Sequence, residues 1–344
     1  MIPPLIRYLI EGGHQAPSAD NSQPWRFSWD GEVLELQFND AGAVQDVFGP
    51  DSHCEAFTMG AVVENIVQLA ADTSVEGDWD LGHRESAYLR FKPASLPDRG
   101  SWPRTHAVFT RHTNRFRFKD PALSFGQIQN LTDMSEGNCV AKVYTDSADI
   151  DVIADLVRRA SSLRFRNQRL HEWFGKTLRF TRREADRGTG LDVATIDLPP
   201  AGTVLLRLIM DWRRMKLLNS LGMYRLLSSI EAQAIQQTPG VLAIVGPRGE
   251  GFEAGRLMER VWLHLEKLGI AVQPYYVLTD QLFRLSRGDL PAHLVSEASQ
   301  LEAASEEFFG PDAFPHMLLR FGKASNKIMR SRRLPVEKII GDLQ

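Results

Sequence analysis

Apolar positions along this chain fall into short alternating runs and longer helical stripes. Trp25 to Trp29 and Val33 to Phe38 alternate apolar and polar residues on either side of Asp30-Gly31. An Asp-Gly pair between two alternating runs predicts a β-hairpin. The first 15 residues predict a helix that ends at Gly12-Gly13. Ala56 to Ala71 is apolar nearly all round, which predicts a helix buried on every side. Tyr88 to Phe91 predicts a short strand, and the Pro-, Ser- and Gly-rich stretch from Pro93 to Pro103 a linker. Further on, Phe125 to Thr132 and Ser147 to Arg169 predict helices with a strand, Val140 to Tyr144, between them. Val241 to Val245 reads as a buried strand and Phe252 to Leu268 as a helix stopped by Gly269. Gln273 to Leu278 reads as extended, and Met317 to Phe321 as a last strand.

Helices interleaved with short strands predict an α+β fold, helices packed on central mixed sheets. The helices at Ala56–Ala71 and Phe252–Leu268 look like counterparts, each followed by a turn and a strand. That order divides the chain near Trp102 into two degenerate repeats, 1–101 and 102–344. The second carries an insertion over about 170–235, with a breaker cluster from Gly188 to Gly202.

Composition narrows the function. With 344 residues, 43% hydrophobic and 24% charged, the chain suits one large or two ordinary globular domains. A formal net charge of −3 argues against general nucleic-acid binding. Two cysteines, Cys54 and Cys139, supply neither a disulfide framework nor a thiolate metal cluster and fit a reducing, cytoplasmic setting. The opening residues have no basic lead and Arg7 interrupts their apolar run, so a secretory signal is not expected. Stable membrane insertion is not expected either. Val204 to Ser229 is nevertheless both basic and strongly apolar, open to two readings: an interfacial helix, or a helix or hairpin covering a pocket or subunit surface.

Three segments carry candidate chemistry. Ala16 to Phe27 sets Ser18, Asn21, Ser22 and Gln23 between Pro17 and Pro24. Proline restricts its own φ and the residue before it, so these donors are either pre-aimed at a planar, hydrogen-bonding ligand or simply turn formers. Arg111-His112-Thr113-Asn114-Arg115 puts two arginines four apart, on one face of a helix start, around a hydroxyl. This is a phosphate grip or a solvated basic turn. Arg330-Ser331-Arg332-Arg333-Leu334-Pro335 is a third basic cluster, or an exposed tail. Val241–Gly246 followed by Gly249, Gly251 and Gly255 imitates a nucleotide-binding strand, loop and helix but misses the glycine spacing.

The first segment resembles the Pro-Ser-x-x-Asn-x-Gln-Pro-Trp signature of the FMN-dependent nitroreductase family, and the second its Arg-Arg-Ser-x-Arg signature. The two stand in reverse of the family order. The chain is therefore similar to the single-chain, two-repeat Acg-type branch, in which one polypeptide makes an intrachain pseudo-dimer. The resemblance implies a nitroreductase-like fold and a single FMN site. Pro17, Ser18, Asn21 and Gln23 would come from the first half, and Arg111, His112, Thr113 and Arg115 from the second. Gln273, Pro274 and Tyr275 would supply a backbone donor to the flavin, and Arg330 or Arg333 would close the phosphate pocket. It also implies NAD(P)H as electron donor and reduction of nitroaromatic, quinone or similar planar acceptors by hydride transfer through flavin N5, with no dedicated acid–base pair. Association of chains is allowed but not needed for the site. The alternative it implies is a flavin-sequestering protein whose insertion, with Trp173, Phe174, Trp212 and Tyr224, acts as a lid.

Overall fold

Asp30 closes the predicted hairpin with its own side chain, accepting from the backbone N–H groups of Glu32 at 2.8 Å and Val33 at 2.7 Å. Around it, the computed structural model describes residues 2–38, 47–48, 52–73, 77–81, 86–91, 102–119, 123–324 and 329–341. In the first half α1 (Pro4–Gly13) passes through a 3-10 turn, Ala19–Asn21, into β1 (Trp25–Trp29) and β2 (Val33–Phe38). Then come α2 (His53–Asp72), β3 (Gly77–Leu81) and β4 (Ser86–Phe91). The second half opens with α3 (Ala107–Thr110), β5 (Phe118–Lys119), α4 (Phe125–Thr132), β6 (Ser135–Glu136), β7 (Cys139–Tyr144) and α5 (Ser147–Arg166). The insertion contributes α6 (Gln168–Thr177), β8 (Leu178–Arg179), α7 (Arg182–Ala185), β9 (Leu191–Asp192), α8 (Gly202–Ile209), α9 (Trp212–Ser220) and α10 (Met223–Gln236). The half closes with β10 (Gly240–Gly246), α11 (Gly251–Lys267), β11 (Ala271–Tyr275), α12 (Val277–Arg287), α13 (Ala292–Phe309) and β12 (Phe314–Ala324).

The α+β architecture is as expected. One sheet has the order β1-β2-β4-β3, the other β11-β12-β10-β7-β6 with β5 added to β12. Both are antiparallel; parallel pairing is confined to β8–β9 and two isolated bridges. Every strand of the first sheet precedes residue 101 and every strand of the second follows residue 102. The tail crosses back. Phe27 N–H donates to Ile339 O and Gly341 N–H to Phe27 O, each at 2.8 Å, so the end of the second half extends the first sheet.

The halves meet where α2 crosses α11. A β-carbon on Gly60 would lie 2.1 Å from the Phe252 carbonyl oxygen, and one on Gly255 2.0 Å from that of Phe57. Each glycine thus touches the carbonyl three residues ahead of its counterpart, the reciprocal contact a two-fold axis makes. Glu64 and Glu259 also hold matching positions, four residues past each glycine, and both are fully buried. Glu64 pairs with Arg256 at 3.0 Å and Arg260 at 2.7 Å. One hydrophobic core joins α1, β1, β2 and α2 to α11, so the halves share it. A second lies between the larger sheet and α5, α10, α12 and α13.

Two expectations change. The predicted helix from Ser147 breaks at Asn167, which adopts extended angles and caps α6 by accepting from Leu170 N–H. Extension from Gln273 stops at Tyr275, because Val277 and Leu278 start α12, stabilised one turn on by the buried Asp280–Arg284 pair at 2.9 Å. The glycines after β10, whose spacing does not fit a nucleotide loop, serve packing: Gly251 and Gly255 lie against α2. Most of the expected linker, residues 92–101, lies outside the described residues.

Candidate functional site

The loop after α1 is held in a costly conformation. Asp20, Asn21 and Gln23 have φ of 43°, 59° and 53°. Left-handed backbone costs a non-glycine residue roughly 1–2 kcal/mol, so the loop persists only because its surroundings determine it. Ser18 Oγ accepts from Gln23 N–H at 3.0 Å. Asn21 Nδ2 donates to Arg332 O at 2.8 Å, and Gln23 Nε2 to Gly188 O at 2.7 Å. Gln23 Oε1 in turn accepts from Leu334 N–H at 3.0 Å. Trp25 Nε1 donates to His14 Nδ1 at 3.0 Å, which leaves the His14 proton on Nε2 to donate to Leu334 O at 2.9 Å. Pro17 is half-buried at the start of the loop. The loop is therefore clamped between the tail and the insertion.

The Arg111–Arg115 segment is not a helix start. Four-residue α3 ends at Arg111, and the chain continues extended, Thr113 bridging to Val272 and Asn114 N–H donating to Val272 O at 2.9 Å. Alternate residues of an extended segment share a side, and both arginines approach the first-half loop. Arg111 donates to Gln15 O, lies 2.8 Å from Glu259 Oε1 and stacks 4.4 Å from the Trp262 ring centre. Arg333, from the tail, donates to His14 O and to the same Gln15 O, both at 2.8 Å. Two guanidiniums thus converge on one carbonyl beside one carboxylate. Burial, with Arg111 nearby, lowers Arg333 to about 9. Burial raises Glu259 to about 7 even though Arg111 and Arg333 oppose the rise. Arg115 reaches Thr195 Oγ1 at 3.3 Å, and Asp20, which accepts from Thr177 Oγ1 at 3.0 Å, provides its countercharge.

The structure therefore gathers Pro17, Ser18, Asn21, Gln23, Arg111, Thr113, Arg115 and Arg333 around one region. Arg330 is separate, donating to Phe109 O at 3.1 Å and Thr110 O at 2.7 Å at the end of α3. His112 sits there too; its Nδ1 lies 3.2 Å from Thr110 O, and its buried Nε2 has no hydrogen-bond partner among the described residues. Gln273, Pro274 and Tyr275 lie in β11, next to the bridge at Val272. Gln273 Oε1 accepts from Arg320 Nε at 2.7 Å, and Tyr275 is in the second core. Sequence reasoning missed Glu259, Asp20, Thr195 and the Gln15 carbonyl. Glu259 did carry a signal: Gly-x-x-x-Glu occurs at matching places in both counterpart helices, Gly60–Glu64 and Gly255–Glu259.

In sequence the chain is similar to mycobacterial proteins named as putative nitroreductases. It is 27% identical over 159 residues to the protein named "Putative NAD(P)H nitroreductase acg" of Mycobacterium tuberculosis strain H37Rv, with the same figures for that of strain CDC 1551. The match covers 45% of this chain and 45% of the relative, so the chain spans less than half the length of the curated relatives it matches. No family model matches. Among solved structures, the chain is distantly similar to the FMN-dependent nitroreductase NfnB from Mycobacterium smegmatis in complex with NADPH, at 14% identity and a TM-score of 0.38, covering 69% of this chain and 96% of that one. A BluB-like flavoprotein from Clostridium difficile 630 is similar at 13% identity and a TM-score of 0.38, covering 69% and 97%.

Proposed function

We propose that this chain binds a single FMN between its two halves and uses it as an NAD(P)H-dependent oxidoreductase on planar acceptors such as nitroaromatics or quinones. One observation carries the reading: Arg111 and Arg333, one from each side of the second half's long insertion, meet at the Gln15 carbonyl with, among the described residues, only Glu259 to balance them. One buried and one half-buried cation facing one carboxylate leave a surplus that a phosphate dianion would satisfy. In this reading Arg111 and Arg333 hold the phosphate. Ser18, with its O–H still to give, and Asn21 face the ring system from the first half. Arg115 places positive charge at the ring's pyrimidine end, and in β11 the backbone donor would come from Gln273 or Tyr275, since Pro274 has no N–H. Bound FMN would supply the hydride chemistry; the chain supplies orientation, charge and exclusion of water. The likeness to the mycobacterial nitroreductases supports the same assignment.

The absorption spectrum of the purified protein tests it. A single FMN per chain is expected, and Arg111→Ala with Arg333→Ala should give a folded, colourless protein. A double variant that retains flavin at the wild-type ratio would refute the site. A second reading, sequestration of FMN with little turnover, is favoured by the clasp of the insertion on the loop, from Gln23 and Asn21 to Gly188 and from Arg115 to Thr195. Anaerobic NAD(P)H separates the two: rapid bleaching marks the enzyme, and bleaching by dithionite alone marks storage.

A further inference from the structure

The outer helices of the insertion remain unexplained by a flavin site. Among the described residues, seven of the thirteen exposed large apolar side chains fall within Val204–Ile230, so the exposure is concentrated there. Leu221 is 81% exposed, Val204 70% and Leu217 67%. The spacing is helical: Val204 and Leu208 on α8, Leu217 and Leu221 at the end of α9, Leu226 and Ile230 on α10, each pair four residues apart and so on one face. The opposite sides are packed. Met215 is buried under α9, and Ser228, Ala232 and Ile235 are buried along α10.

Charge identifies the occupant. Within Val204–Ile230 five exposed basic residues, Arg207, Arg213, Arg214, Lys216 and Arg225, accompany one acid, Asp211, in a chain whose overall formal charge is −3, and the next acid along α10, Glu231, is engaged by Arg164 and Ser161. Asp211 is committed to capping α9, accepting from Arg214 N–H at 3.1 Å. Among the described residues none of the five bases has an ion-pair partner within salt-bridge distance; Arg207 stacks 4.9 Å from the Phe180 ring centre and Arg225 on Tyr224. Leucines interleaved with unpaired bases suit an interface of apolar chains under anionic headgroups. A second copy suits it poorly, because a two-fold contact would set the same basic side chains against one another. We infer that α8–α10 dock this protein on an anionic lipid surface, with the leucines entering the acyl boundary and the bases at headgroup level. The inference does not depend on the flavin assignment.

Vesicle co-sedimentation of the full chain tests it. The protein should pellet with phosphatidylcholine vesicles containing about 40 mol% phosphatidylglycerol and stay in solution with phosphatidylcholine alone, and salt near 1 M should weaken the binding. Leu217→Glu with Leu221→Glu, both exposed, should reduce partitioning by roughly tenfold or more with an unchanged thermal midpoint. Wild-type protein left in solution with anionic vesicles, or pelleting unaffected by the double variant, would overturn the inference. So would a dimer in solution that this variant converts to monomer without any vesicle binding, which would assign the face to a second copy.

Discussion

Glu259 sets the terms on which an anion can sit beside Arg111 and Arg333. It faces those two arginines from the 111–115 segment and the tail, and Asn65 and Glu64 from α2. Burial holds its proton up to about pH 7, so the raised value favours the neutral form below that point and the ionised form above it. An ionised Glu259 cancels part of the cationic surplus and repels a phosphate, so anion binding and protonation of Glu259 support each other. FMN affinity should therefore fall as pH rises from about 7 to 8, where the phosphate is already dianionic, by as much as about tenfold per unit. Glu259→Gln should flatten that slope in a fluorescence titration; identical slopes in the two proteins would refute the coupling. That Arg111 and Arg333 belong together was anticipated only through the family resemblance, because each basic cluster taken alone reads equally as a solvated turn or an exposed tail. Glu259 was not anticipated, since a lone acid in an amphipathic helix reads as its solvent face until the fold turns that face inward.

Between elements, the crossing of α2 and α11 leaves no room for a side chain at its two glycines. Gly255→Ala would press a methyl onto the Phe57 carbonyl, a rigid backbone group, and part the helices at a cost of roughly 3 kcal/mol. Gly251→Ala, whose methyl would meet His53 and Ala56 side chains at 3.3 and 3.4 Å, should cost under about 1 kcal/mol. Urea unfolding of the two variants measures the difference, and equal losses would mean the crossing is more pliable than it looks. The same contrast explains what could be read in advance. β1, β2 and α4 lie where the pattern put them because Asp30 and Ser124 fix their ends locally. α11 ends just before Gly269, which has φ of 71°. The 111–115 segment and the start of α12 were misread because their conformation comes from distant partners, Val272 in one case and the second core in the other.

At the scale of the whole molecule, two sheets whose named strands come from separate halves share one core and one reciprocal helix crossing, the organisation of a dimer within a single chain. The first half buries Leu5, Ile66 and Phe27 in a cluster that also takes Val261 and Trp262 from the second. We expect residues 1–101 expressed alone to lack cooperative structure by circular dichroism, and co-expression with 102–344 to restore both folding and flavin. A cooperative transition in the isolated fragment would show that the halves are autonomous domains.

The returning tail has a consequence for assembly. Arg333, Leu334 and Ile339 anchor on Gln15, Gln23 and Phe27 of the first half. On a nascent chain the contacts that frame the candidate site cannot form until residues 333–341 have emerged from the ribosome. In the proposed reading, nucleotide loading follows the arrival of this segment, and a filled site should slow proteolytic cleavage within residues 333–341.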